Sequence, residues 1–287
     1  MGKPSPRGTL VDIGGRRLHL VRAGPPAAAP TVLLEAGSFG FSADWSVVQE
    51  RLAAAGLRSI AYDRAGLGHS DPGPQPRDGL AIAADLEALL GAAGEPGPFI
   101  HVGHSMAGLH AHLFAGRNRG RLAGLVLGDA VTPRAAEDET VRRVVGQYIR
   151  LSRAAAWAAG AGLLRPLAPL GDTIGLVGEG AAHKRWAFAH AGHNRAAADE
   201  VLAWAATAAQ AAAAGPLDPA WPVAVVTAGP PRAGQRQRRL MAEPAAASRH
   251  GYVANVAAAH HASLLGRRFA DAIVRAVEHV RRAAATS

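Results

Sequence analysis

Apolar and polar residues alternate along Thr9-Leu10-Val11-Asp12-Ile13 and again along Arg17-Leu18-His19-Leu20-Val21, with Gly14-Gly15 between them. This spacing predicts a β-hairpin with a glycine turn at the edge of a sheet. Farther on, alternation gives way to a continuous apolar run at Thr31–Leu34 and to strand segments, apolar for the most part, at Leu57–Tyr62, Pro98–Val102, Leu122–Leu127 and Pro222–Thr227. Runs of this length, bounded by small-residue loops, are what strands buried on both faces show. Helical spacing fills the gaps. One helix is expected from Asp44, as N-cap, through Trp45, Val48 and Leu52 to Gly56. A second spans Leu80 to Ala93, and a third runs from Met106 to about Arg117. A last strand, Tyr252–Val256, precedes a final helix from about Arg267 to Arg282. Strand and helix in alternation predict an α/β fold, a mostly parallel sheet of about eight strands with helices on both faces.

The rhythm breaks between Thr132 and Asp218, where the chain is alanine-rich and helical, with Trp157, Trp186 and Trp204 at wide intervals. We read 132–218 as a helical cap inserted after the sixth strand, over a core made of 1–131 and 219–287. Its tryptophans and alanines would form an apolar pocket wall.

Gly103-His104-Ser105-Met106-Ala107-Gly108 lies where the strand ending at Val102 meets the helix opening at Met106. A serine pinched between strand and helix, with small residues two before and two after it, has the pattern of a nucleophile elbow. Such a turn lifts the Ser105 hydroxyl above the sheet and aims a helix N-terminus at whatever bonds to it. The Met106 N–H, directly after the nucleophile, is then one expected oxyanion donor.

Composition narrows the picture. The 287 residues suffice for one large α/β domain with an insertion. Cysteine is absent, which removes disulfides, thiolate catalysis and cysteine metal sites. No apolar run is long enough to span a bilayer, and no basic-then-apolar segment opens the chain, so no membrane association is expected and the location is expected to be cytoplasmic. The net charge of +9 invites a nucleic-acid reading. However, the arginines are scattered in pairs, and the densest stretch, Arg232 to Arg239, holds no aromatic residue for base stacking, so no nucleic-acid partner is expected. His183, His190 and His193 could share a helical face, but no carboxylate accompanies them at ligand spacing. No metal and no cofactor are expected.

From Thr9 to about Val280 the chain resembles the α/β-hydrolase superfamily, closest to its capped serine hydrolases and esterases. The resemblance rests on Leu33-Leu34-Glu35-Ala36-Gly37, Asp63-Arg64-Ala65-Gly66-Leu67-Gly68-His69-Ser70, the Ser105 elbow, Leu125-Val126-Leu127-Gly128-Asp129 and His260-His261-Ala262-Ser263-Leu264. It implies a triad in the chain order nucleophile, acid, histidine: Ser105, Asp129 and His261, with His260 as the alternative base. His261 is favoured because it directly precedes a small-Ser-Leu segment, as the base does in similar members. The acid departs from the commoner pattern. The loop after the penultimate strand, Ala228 to Gly234, holds no carboxylate, and Glu243 lies deep in the next helical segment. The resemblance also implies Gly37 as the second oxyanion donor, with Ser38 next in line, and puts Glu35 where many relatives carry histidine.

The activity implied is hydrolysis of a small carboxylic ester or lactone through an acyl-enzyme, with a small-molecule ester as the partner. A serine at position 105 argues against the aspartate-nucleophile dehalogenases and epoxide hydrolases of the fold. Cofactor-free, haloperoxidase-like perhydrolysis uses the same triad and stays open. So does a non-catalytic small-molecule-binding or accessory role, to which Ala107, the missing late acid and the doubled histidine lend support.

Overall fold

Asp12 closes the first turn: its carboxylate accepts the Gly14 and Gly15 N–H groups at 2.9 and 3.1 Å, and both glycines take positive φ. A side chain at either would resist that backbone angle. The hairpin so formed joins β1 (Thr9–Asp12) to β2 (Arg17–Ala23). The coordinates are a computed structural model describing all residues except Met1, Lys3, Ala27, Ala28, Arg232, Ala233 and Ser287. The very start of the chain, the middle of the Pro25–Pro30 link, the head of the arginine-rich stretch and the centre of the Ala228–Gly234 loop therefore lie outside the described residues.

β3 (Thr31–Glu35), β4 (Ser59–Tyr62), β5 (Phe99–His104), β6 (Leu122–Gly128), β7 (Val223–Ala228) and β8 (Tyr252–Val256) complete an eight-stranded sheet in the order β1-β2-β4-β3-β5-β6-β7-β8. Only β1 and β2 run antiparallel to their neighbours. β3, β4 and β5 are buried along their whole length, which is why they show no alternation of apolar and polar residues. Successive side chains still alternate between faces. Val32 and Leu34 pack into one apolar cluster, Leu33 into the other.

The first cluster is closed by α1 (Ser46–Ala54) and by α10 (Asp271–Ala284), and the second by α2 (Gly79–Ala92) and α3 (Ala107–Arg117). α10 begins four residues later than its spacing suggested. Residues 266–270 instead form a tight turn in which the Phe269 and Ala270 N–H groups donate to the Gly266 carbonyl. Asp44 does not cap α1. It sits inside a short 3-10 turn, Ser42–Trp45, and its carboxylate is taken by Lys184 at 2.8 and 2.9 Å. Trp45, at the head of α1, is completely buried in the first cluster. Trp45→Ala should therefore cost about 3–5 kcal/mol of stability. A urea midpoint lowered to match, with an unchanged slope, is the expected measurement.

Between β6 and β7 lie α4 (Pro133–Ala136), α5 (Glu139–Gly160), α6 (Gly178–Ala189), α7 (Ala191–Leu202) and α8 (Trp204–Ala213), and α9 (Gln235–Ala247) follows β7. α8 is seated on α2 and α3, where Trp204 joins Met106, Leu109 and Leu113. His183 lies on α6 and His193 on α7, with His190 in extended backbone between the two helices, so the three do not share one helical face. No described helix is long and apolar enough to cross a membrane.

Candidate active site

β5 ends on His104 and α3 starts at Ala107, so Ser105 and Met106 alone turn the chain. Ser105 has φ 58°, a left-handed angle that is costly for a residue with a Cβ. Neighbours hold it there: its N–H donates to Gly128 O, and its carbonyl accepts from Gly108 and Val131 N–H. The small residues are sterically required. A Cβ on Gly103 would stand 2.6 Å from Ala107 O, and one on Gly108 would stand 2.4 Å from Val131 O. Ala107 fits fully buried.

Asp129 follows β6 and is also bent into positive φ, at 44°. That bend carries its carboxylate across to the loop after β8. Oδ1 accepts the Ala228 N–H at 3.1 Å, and Oδ2 lies 2.6 Å from His261 Nδ1. Burial pushes the Asp129 carboxyl up, but the hydrogen bond from His261 and its charge outweigh this, holding it below the usual carboxylate range. The imidazole that reaches Asp129 is thus His261. His260 points elsewhere: exposed, it exchanges hydrogen bonds with Ser263, its Nδ1 accepting the Ser263 N–H at 3.3 Å and its own N–H donating to Ser263 Oγ at 3.0 Å. Ser105 and His261 line the same cavity, and among the described residues no hydrogen bond joins Ser105 Oγ to either histidine. Glu243, on α9, instead faces Arg134.

His104, which the sequence did not single out, braces His261. Its ring lies 4.5 Å from that of His261, and its Nε2 donates to the His261 carbonyl at 3.0 Å. Burial, seconded by the His261 charge, pushes its pKa down to about 3, so it stays neutral and keeps donating.

Gly37 comes so close to the elbow that a Cβ there would stand 2.6 Å from Ser105 Cβ and 3.2 Å from its Oγ. Gly37→Ala should wedge this loop away from the serine, and if the Gly37 N–H serves as an oxyanion donor kcat should fall by about 10²–10³. Steady-state kinetics on a folded variant would test it. Met106 stands at the N-terminal end of α3, where N–H groups lack intrahelical acceptors. Its Sδ also accepts Ser38 Oγ–H at 3.4 Å.

Beneath the loop, Glu35 is fully buried between His101 Nε2 at 3.0 Å, His110 Nδ1 at 2.9 Å and Tyr62 OH at 2.8 Å. Burial pushes its carboxyl up, yet His110 and His101 outweigh it and hold the group ionised, far below the usual range. This anion ties β3 to β4, β5 and α3, fixing the strand that leads into the Gly37 loop against the Ser105 turn.

The cavity over Ser105 measures about 790 Å³. Val141, Val144, Tyr148 and Leu151 of α5, with Phe188 and Trp204, give it apolar walls. Its polar end holds Lys184 paired with Asp44, the ammonium also donating to Phe39 O at 3.2 Å. The three tryptophans part company. Trp204 lines the cavity, Trp186 stacks on His69 at 5.5 Å, and Trp157 is 70% exposed rather than part of the wall. No group of three or more His, Asp or Glu able to hold a metal occurs among the described residues.

The profile of the alpha/beta hydrolase fold family matches residues 30–156. A Streptomyces lividans non-heme chloroperoxidase is 31% identical over 134 residues, 46% of this chain and 48% of that protein. A Hormonema carpetanum protein named "Probable transporter efuK" is 40% identical over 104 residues, 35% of this chain but 15% of its own. The matched stretches thus span less than half the length of these curated relatives. Among solved structures, the enol-lactonase of Burkholderia xenovorans LB400 superposes with a TM-score of 0.68 at 19% identity, over 94% of this chain and all of that one.

Proposed function

We propose that this chain, whose residues 30–156 match the alpha/beta hydrolase fold family and which carries that fold along its length, is a serine hydrolase acting on a small carboxylic ester or lactone. The observation that carries this reading is the Asp129–His261 pair, 2.6 Å apart, on the cavity that also holds the strained Ser105. Asp129 keeps the His261 proton on Nδ1 and leaves Nε2 free as a base. This mechanism requires Oγ to reach Nε2 by rotation about the Ser105 Cα–Cβ bond. Oγ then attacks the ester carbonyl while its proton passes to Nε2. The oxyanion is held by the Gly37 and Met106 N–H groups, and collapse expels the alcohol, which takes the proton back. Water repeats the sequence on the acyl-enzyme and releases the acid.

Helices within 132–218 serve in this reading as a cap over Ser105. The apolar wall from α5 favours an apolar acyl or alcohol group, because such a group gains about 25 cal/mol for each Å² it buries.

The test is fluorophosphonate labelling of the wild type, followed by a panel of short esters and lactones. Labelling that requires Ser105 supports the proposal. A folded wild type that neither labels nor turns over any ester would move the reading to a non-catalytic binding protein. The similarity to the chloroperoxidase favours a second reading, in which hydrogen peroxide replaces water on the acyl-enzyme and releases a peracid. Adding peroxide to the ester assay and trapping the peracid separates the two.

A further inference from the structure

Arg64, just past the end of β4, has a side chain only 2% exposed and divides its donors between two segments. Nη1 donates to the Ala36 carbonyl, and Nη2 donates to the Gly37 carbonyl at 2.9 Å. Nε and Nη2 also hold the fully buried Glu200 carboxylate of α7 at 2.9 and 2.8 Å. Burial works against the charge on Arg64, and Glu200 outweighs it, so the guanidinium stays protonated. A bidentate, buried pair of this kind is rigid, since each partner satisfies the other only in one geometry.

The carbonyls it grips belong to the loop beside the nucleophile. A trans peptide is planar, with its N–H directed away from its C=O. The Ala36 carbonyl shares a plane with the Gly37 N–H, and the Gly37 carbonyl shares one with the Ser38 N–H. Holding both oxygens from one side therefore sets the direction of both N–H groups on the other. We propose that Arg64 is a positioning residue for acyl transfer. Through the Ala36 carbonyl it aims the Gly37 N–H at the oxyanion over Ser105, through the Gly37 carbonyl it fixes the next peptide of the loop, and Glu200 anchors it from α7.

This rests on Ser105 being the nucleophile. It also makes α7 a support of the oxyanion loop and not merely a wall of the cavity. The buried Glu35 cluster fixes the strand leading into the loop, whereas Arg64 fixes the orientation of the peptides themselves.

Arg64→Lys is the informative variant. It leaves a cation beside Glu200, but one ammonium cannot serve two carbonyls and a bidentate carboxylate together. Its kcat and its rate of fluorophosphonate labelling should fall by at least about 10-fold, approaching the 10²–10³ of a lost donor, with KM unchanged. The double variant Arg64→Met with Glu200→Leu, which removes both charges while keeping apolar volume, should lose kcat to a similar extent. Folded variants with wild-type kcat, or with loss confined to KM, would overturn the proposal. So would failure of both to fold, because Arg64 would then be serving stability. An unreactive wild type would instead sink the hydrolase reading itself, so the two failures are distinguishable.

Discussion

Ser105→Ala is expected to lower ester turnover by about 10⁴–10⁶ while leaving the protein folded. His261→Ala should fall just as far, and the double variant should fall no further, because nucleophile and base act as one unit. His260→Ala should stay near wild type. Its ring only closes a local turn with Ser263, which water can replace at an exposed site. Parallel kinetics on the four variants would check this. An active Ser105→Ala, or a dead His260→Ala beside a live His261→Ala, would overturn the assignment. The strained φ of 58° adds a second readout. Ser105→Gly should be inactive yet more stable than Ser105→Ala, by about 1 kcal/mol, since glycine takes that backbone angle without a Cβ clash.

Asp129→Asn should cost about 10³–10⁴ in kcat with a small change in KM. Asparagine could still accept the Ala228 N–H through its carbonyl oxygen, but its amide would face His261 Nδ1 as a donor. The imidazole would then carry its proton on Nε2, where it cannot accept one from Ser105. The same substitution tests the electrostatics. The folded Asp129 carboxyl lies below its ordinary value, about 3.9. Its ionised form therefore contributes stability at neutral pH, and that contribution is lost as pH falls through the lower, folded value. Asp129→Asn lacks this contribution at every pH. Its melting temperature should be lower than wild type at pH 7, with the gap narrowing in acid. A gap that stays constant below about pH 4 would show that Asp129 is not held by His261.

Much of the fold was legible in the chain because its causes are local. Two-residue alternation marks the hairpin, short apolar runs mark strands covered on both faces, and glycine at 103 is demanded by a turn that spans only a few residues. Where local signals competed, the sequence reading slipped. Asp44 is a good capping residue by type, yet the α6 side chain Lys184 claims its carboxylate. Trp157 reads as cavity wall by composition and stands exposed, because which side of a helix faces the core depends on what packs against it.

By itself, then, the sequence determined the α/β architecture, the strand–serine–helix turn, and a short set of residues chemically able to be acid and base. The tertiary structure alone decided which of two adjacent histidines reaches Asp129. It also joined Glu35 to His101 and His110, and Arg64 to Glu200 across 136 positions of chain. Propensity and periodicity act over a few residues, whereas a charge becomes a structural tie only when folding removes water from around it and leaves one partner within reach.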